Sequence, residues 1–145
     1  MRIVEFEFVM TFLWVFATLR NHSINPYRQL TRPAILTSLI TQENVSAEMR
    51  DGSVLKADIY RPDDGGQHPV LLLRTPYWKL NPRYINSARK LAEQGYTVIC
   101  QDMRGRYDSE GDFKWQFMDN SLTGDAEDGY DTVEWAANLK HSDGQ

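Results

Sequence analysis

Two stretches of strict alternation stand near the middle of the chain. Val45, Ala47 and Met49 alternate with Ser46, Glu48 and Arg50; Leu55, Ala57 and Ile59 alternate with Lys56, Asp58 and Tyr60. A period of two sends one set toward a core and the other toward water, so each stretch predicts a β-strand. Asp51-Gly52 lies between them and supplies the positive φ angles of a two-residue hairpin. The cluster Pro62-Asp63-Asp64-Gly65-Gly66 ends the second strand. The continuous apolar run from Val70 to Leu73 predicts a strand covered on both faces. Asn81-Pro82 then gives a helix cap and a first-turn proline. Ile85, Ala88, Leu91 and Ala92 follow at helical spacing, and Gly95 stands just past the helix end. Residues 96–100 (YTVIC) predict another strand, which completes a parallel, right-handed βαβ unit. Residues 102–119 read as a polar loop rich in Gly and aromatics. A second helix is expected from about 123–125, with Ala126, Tyr130, Val133 and Ala137 as its apolar stripe. Asp125, Glu127 and Asp128 fall in its first turn, where they complement the helix dipole and face solvent.

The fold class implied is α/β, an antiparallel hairpin leading into a mostly parallel sheet flanked by helices. In such a pattern the next element is a strand; with none following, one sheet edge and the second helix are expected to lack a cover. Residues 1–42 read as an apolar segment and an arm, and residues 43–145 as the α/β domain. Residues 8–19 (FVMTFLWVFATL) carry no charge, yet 12 residues are fewer than the ~20 a membrane span needs. A signal peptide fits the run's length but not its flank, where Arg2 is set against Glu5 and Glu7 and no A-x-A site follows. A signal, an anchor, a buried element and an arm all stay open; a cytoplasmic location is the working expectation. Pro26 and Pro33 interrupt any long helix in residues 20–42.

Composition narrows the function classes. The 145 residues hold 20 acidic and 16 basic side chains, a net charge of −4, which argues against nucleic acid as a partner. One cysteine, Cys100, excludes an internal disulfide and no Cys/His cluster has zinc spacing. The acids Asp108, Glu110 and Asp112 lack the order of a calcium loop. No metal or cofactor is therefore expected. His22, His68 and His141 have no evident nucleophile beside them, and Cys100, in an apolar run, reads as a buried, inert thiol.

Four segments, in order, resemble one group of α/β hydrolases. They are the hairpin from Met49-Arg-Asp-Gly52 through Leu55-Lys-Ala-Asp-Ile-Tyr-Arg-Pro62; Leu73-Arg-Thr-Pro-Tyr77 with Lys79; Gly95-Tyr-Thr-Val-Ile-Cys-Gln-Asp-Met-Arg-Gly105 with Ser109-Glu-Gly111; and Asp125-Ala-Glu-Asp128 through Trp135 to Asp143-Gly144. The group is the cocaine-esterase-like and Xaa-Pro dipeptidyl-peptidase-like serine hydrolases (CocE/NonD, peptidase S15-like). The resemblance implies a Ser nucleophile, a His base and an orienting Asp, the Ser on a G-x-S-x-G elbow. No such elbow occurs here: Ser53 follows Gly52 in a turn, and Ser109 is preceded by Asp108. The elbow is expected one strand after Asp143-Gly144, so the chain reads as an N-terminal fragment without its triad and inactive alone.

In that reading Tyr77 is the catalytic residue present, a phenol that donates to the oxyanion; spacing alone allows a Pro-Tyr turn with the ring packed beside the sheet. Trp78, its neighbour, is a candidate to line an acyl pocket. Asp102, Arg104 and Gly105 follow a strand end, where α/β sites collect; a loop-shaping Asp–Arg pair and Gly turn is preferred to a catalytic role. The substrate implied is a small ester, amide or Xaa-Pro peptide. The alternative function is a non-enzymatic assembly module, an oligomer or a complementing pair, in which the open sheet edge takes strands from a second chain.

Overall fold

The computed structural model describes residues 38–114 and 124–145. Its elements are β1 (Leu39–Glu48), β2 (Val54–Pro62), β3 (Val70–Thr75), α1 (Pro82–Ala92), β4 (Thr97–Asp102) and α2 (Asp125–Ala137). The four strands form one sheet in the order β1-β2-β4-β3. β1 and β2 pair antiparallel, β2 and β4 antiparallel, and β3 and β4 parallel, so β3-α1-β4 is the expected βαβ unit. The apolar run at 8–19, His22 and the prolines of the arm lie outside the described residues.

The hairpin forms, with two differences. β1 begins at Leu39, inside the stretch read as an arm, and carries an irregularity between Gln42 and Val45 where Asn44 adopts φ 53°. The connection is longer than two residues: Gly52 N–H donates to Met49 C=O and Met49 N–H to Ser53 C=O, which leaves Arg50, Asp51 and Gly52 as the loop. Gly52 takes φ 84°, the left-handed residue of a three-residue loop, and Asp51 Oδ1 accepts from Ser53 N–H at 3.0 Å.

One helix covers each face of the sheet. α1 packs on Tyr60, Val98 and Cys100 through Ala88 and Ala92, with Leu71, Leu73, Ile85 and Leu91 around them. α2 covers Ala57, Ile59, Val70, Leu72 and Ile99 through Ala136, with Val133 and Trp135. Each Val, Leu or Ile among them contributes about 1.5–3 kcal/mol on full burial, and the alanines less. This two-sided cover corrects the alternation read for β2. Asp58 and Tyr60 are buried, not solvated, because α1 occupies the face that a lone hairpin would leave wet.

α1 follows the sequence closely. Asn81 Oδ1 accepts from Arg83 N–H, Pro82 stands at the first turn, and Gly95 takes φ 95° beyond the end. α2 has the expected span but a different inner face. Ala126 and Ala137 are exposed, and Tyr130 is 61% exposed under Arg50. The buried positions are Asp128, Thr132 and Ala136. Thr132 Oγ1 lies 3.1 Å from Gln101 Oε1, and Arg104 grips Asp128, so a polar network shares the inner face with the apolar contacts of Val133, Trp135 and Ala136. Asp128 is thus an internal ion-pair partner, not a solvated dipole charge.

The outer edge of β3 is partly covered. His68 N–H donates to His141 C=O, Asp143 N–H to His68 C=O, and Val70 N–H to Gln145 C=O, in parallel register. Residues 141–145 therefore lie along the start of that edge. The expectation of a wholly uncovered edge is corrected to that extent, because residues 141–145 supply partners to backbone groups of His68 and Val70 that need them.

Candidate functional site

The C-terminal ends of the parallel strands β3 and β4 adjoin, with Thr75 opposite Asp102 in register. Ligand sites in open α/β sheets form at such ends, where loops diverge. Residues 76–81 leave β3 and residues 103–114 leave β4, and Met103 N–H donates to Thr75 C=O between them.

Tyr77 stands on the first of these loops and is 42% exposed. Its backbone is fixed: Tyr77 N–H donates to Thr75 Oγ1 at 3.0 Å. One residue back, Pro76 C=O accepts from Arg106 Nε at 3.0 Å. Trp78 follows at φ 76°, a conformation an indole-bearing residue adopts at a cost of about 1–3 kcal/mol. Its side chain, equally exposed, meets the Tyr107 ring with centroids 6.2 Å apart. The Arg106 guanidinium lies over both Tyr107 (5.1 Å) and Phe113 (4.7 Å). Tyr77, Trp78 and Tyr107 are three of the four large exposed hydrophobic side chains among the described residues.

Lys79, part of the second resembling segment, is a residue to which the sequence reading gave no role. It is fully buried. Its N–H donates to Asp102 Oδ1 at 2.8 Å and its Nζ to Asp102 Oδ2 at 3.0 Å, while Asp108 Oδ2 takes a second Nζ bond. Burial opposes the ammonium charge, but hydrogen bonds to Asp108 and Asp102 outweigh it and hold the lysine above its ordinary pKa. Asp102 therefore pairs with Lys79, and the Asp102–Arg104 pair read from the sequence does not form. Arg104 turns instead to Asp128, through Nε at 2.9 Å and Nη2 at 2.6 Å, and to Asp51 and Ser53 through Nη1. Its guanidinium is held above its usual pKa, chiefly by the bonds to Asp128. The loop-shaping role stands with those partners. Gly105 fulfils its part: at φ 65° a Cβ would lie 2.1 Å from Phe113 N. The signal for Lys79 was a lysine between Trp78 and Leu80 together with an Asp closing an apolar strand.

The other candidates settle into structural places. Asp108 faces Lys79, whereas Glu110 Oε2 accepts from Val54 N–H, so the acids of that loop diverge. Among the described residues no group of three or more His, Cys, Asp or Glu could hold a metal ion. His68 Nε2 lies 2.9 Å from Asp64 in a turn. Cys100 is buried, and desolvation pushes its thiol up to about 12, far from nucleophilic. Ser109 Oγ donates to Asp102 C=O and accepts from Lys56 N–H, which commits it to the backbone. No described helix is long and apolar enough to cross a membrane.

Comparison with known proteins gives this geometry its context. The profile of the X-Pro dipeptidyl-peptidase (S15 family) matches residues 51–145. The cocaine esterase of Rhodococcus sp. (strain MB1 Bresler) is 39% identical over 105 residues, 70% of this chain and 17% of the esterase. A CocE/NonD family hydrolase from Staphylococcus aureus superposes with a TM-score of 0.62 at 26% identity, covering 74% of this chain and 22% of that one. An aminopeptidase from a marine sediment Thaumarchaeota archaeon superposes with a TM-score of 0.61 at 26% identity, covering 87% and 23%. The chain thus spans less than a quarter of each of these relatives. The profile match, the esterase relative and the shared mixed sheet agree, and the chain belongs to the X-Pro dipeptidyl-peptidase (S15) family of CocE/NonD-type hydrolases.

Proposed function

We propose that this chain provides the first sheet strands and one oxyanion donor of a serine hydrolase that cleaves an ester, amide or Xaa-Pro peptide bond through an acyl-enzyme. The observation that carries the reading is Tyr77, exposed at the C-terminal end of β3 on a loop pinned at Pro76, Tyr77 and Lys79. A serine hydroxyl attacks the carbonyl as a base takes its proton, and the carbonyl oxygen gains negative charge. The Tyr77 O–H donates to that oxygen, together with the backbone N–H following the serine. Collapse expels the alcohol or amine with the returned proton, and water then releases the acid by the same route. A fixed donor of this kind supplies about 3–4 kcal/mol, because it meets charge that appears only in the transition state. Trp78, beside Tyr77, would line the acyl side of the site.

The 145 residues contain no G-x-S-x-G elbow. The nucleophile, acid and base would come from other sequence, and the chain alone would not turn over substrate. Two measurements test this. A fluorophosphonate probe should leave every serine of the purified 145-residue chain unlabelled; labelling at an enzyme-like rate would overturn the proposal. The coding DNA after codon 145 can also be read for a strand and G-x-S-x-G in any frame. With such a segment joined in frame, Tyr77→Phe should lower kcat about 100- to 1000-fold with little change in KM. An unchanged kcat would remove Tyr77 from the oxyanion hole.

The second reading is an assembly module. β3 is the outermost strand of the described sheet, and residues 141–145 reach only as far along it as Val70. A strand from a second chain could add beside residues 71–75. Size-exclusion chromatography separates the readings: a monodisperse monomer counts against assembly.

A further inference from the structure

We infer that Lys79 is a positioning residue: buried with Asp102 and bonded to the half-exposed Asp108, it forms a clamp that sets the Tyr77-Trp78 segment in its exposed place. The inference rests on the proposed oxyanion role of Tyr77 for its functional meaning, but the geometry stands independently of it.

A lysine with no exposed surface needs a reason, since burying an ammonium costs several kcal/mol unless it is paired and hydrogen-bonded. Here the pairing has a particular form. One carboxylate, Asp102, takes both the main-chain N–H and the Nζ of Lys79, one on each oxygen. Asp102 ends β4 and is itself fully buried. Lys79 is thus fastened at both its backbone and its tip to the end of β4, an inner strand of the sheet. Asp108, on the loop beyond β4, takes the third contact. That same loop holds the other side of the segment, because Arg106 Nε donates to Pro76 C=O. The two residues between these anchors are Tyr77 and Trp78.

Strain shows why a clamp is required. Trp78 sits at φ 76° and its C=O accepts from Asn81 N–H, so the chain turns sharply before α1. Left to itself the segment would relax toward negative φ, and the Tyr77 ring would swing with it. A phenol displaced by about 1 Å loses much of its value as a donor. Lys79 acts on the reaction through Tyr77, without touching substrate.

The test uses the 145-residue chain labelled with 15N and with 13C-Tyr and 13C-Trp. Lys79→Met keeps the main-chain bond and removes the charge and the Nζ bonds. Because it leaves Asp102 unpaired, Lys79→Met/Asp102→Asn is made in parallel, and the measurement uses whichever variants fold. Amide exchange is followed at Tyr77, Lys79 and Asn81, with β4 amides as the reference, and the ring contact between Trp78 and Tyr107 by NOE. Exchange at 77, 79 and 81 should rise at least 10-fold relative to β4, and the Trp78–Tyr107 NOE should weaken or vanish. A residue that only stabilised the fold would raise exchange in the loop and β4 together. That result, or an unchanged NOE with unchanged loop exchange, overturns the inference. Failure of both variants to fold, with Asp108→Asn leaving exchange and NOE as in the parent, overturns it as well. The readout is loop position, not turnover, so it can fail while the Tyr77→Phe test succeeds, and the reverse.

Discussion

Removing the guanidinium of Arg104 should show how much the polar interior of this sheet matters. Arg104 donates twice to Asp128, whose side chain is 2% exposed, and its own side chain is 18% exposed. Arg104→Met keeps the apolar stem and leaves the Asp128 carboxylate buried. Breaking such a pair from one side costs about 3–5 kcal/mol, since an uncompensated charge stays inside. Arg74 Nη2 lies 3.9 Å from Asp128 Oδ2 and offsets part of the loss, which favours the lower half of that range. With a urea m-value of about 2 kcal/mol/M, the unfolding midpoint followed by far-UV circular dichroism should fall by about 1.5–2 M. Arg104→Met/Asp128→Leu removes both charges, and most of the lost stability should return because the buried anion is gone. A single variant within about 1 kcal/mol of the parent, or a double variant worse than the single by a further full increment, would refute the view that Arg104 exists to neutralise Asp128.

Two glycines with positive φ should respond differently to alanine. Gly52→Ala meets no atom within 4 Å and should cost only the backbone strain of about 1–2 kcal/mol, whereas Gly105→Ala drives a Cβ into Phe113 N and should cost clearly more, as thermal or urea unfolding will show. The acid limb of stability should depend on Asp51. Its carboxyl, bonded to Arg104 and Ser53, is held down at about 2 against an ordinary 3.8, so its contribution is complete above about pH 4 and is lost as pH falls toward 2. Asp51→Asn should flatten that limb in urea midpoints measured from pH 2 to 7. Asp58 has the opposite sign: burial raises its pKa, so its native carboxyl binds a proton more tightly and stability declines as pH rises through that value. Asp58→Asn, which can still accept from Asn44 N–H, should therefore gain stability over the parent at neutral pH.

Much of the frame was legible because its signals are local. The Asn81-Pro82 start, the Gly95 end, the YTVIC strand and the hairpin around Gly52 each follow from a dihedral or a cap that neighbouring residues impose. The position of Tyr77 at a strand end was legible in the same way. Lys79 was not, because a lysine in a loop is ordinarily a solvated charge, and its partners stand 23 and 29 residues away. The inner face of α2 was misread for a related reason. Hydrophobic periodicity picks Ala126, Tyr130, Val133 and Ala137, of which Val133 does pack on the core, yet Asp128 and Thr132 also go inside, where Arg104 and Gln101 meet them.

By itself, then, the sequence determined which strands and helices form and in what order, the caps of α1, and the family to which residues 51–145 belong. Tertiary structure alone decided which buried charges meet. Period and capping act over a few residues, within reach of one turn or one strand pair. Choosing Lys79 over Arg104 as the partner of Asp102 requires strands and loops distant in sequence to be brought together first, and only then does burial make an unpaired charge too costly to leave.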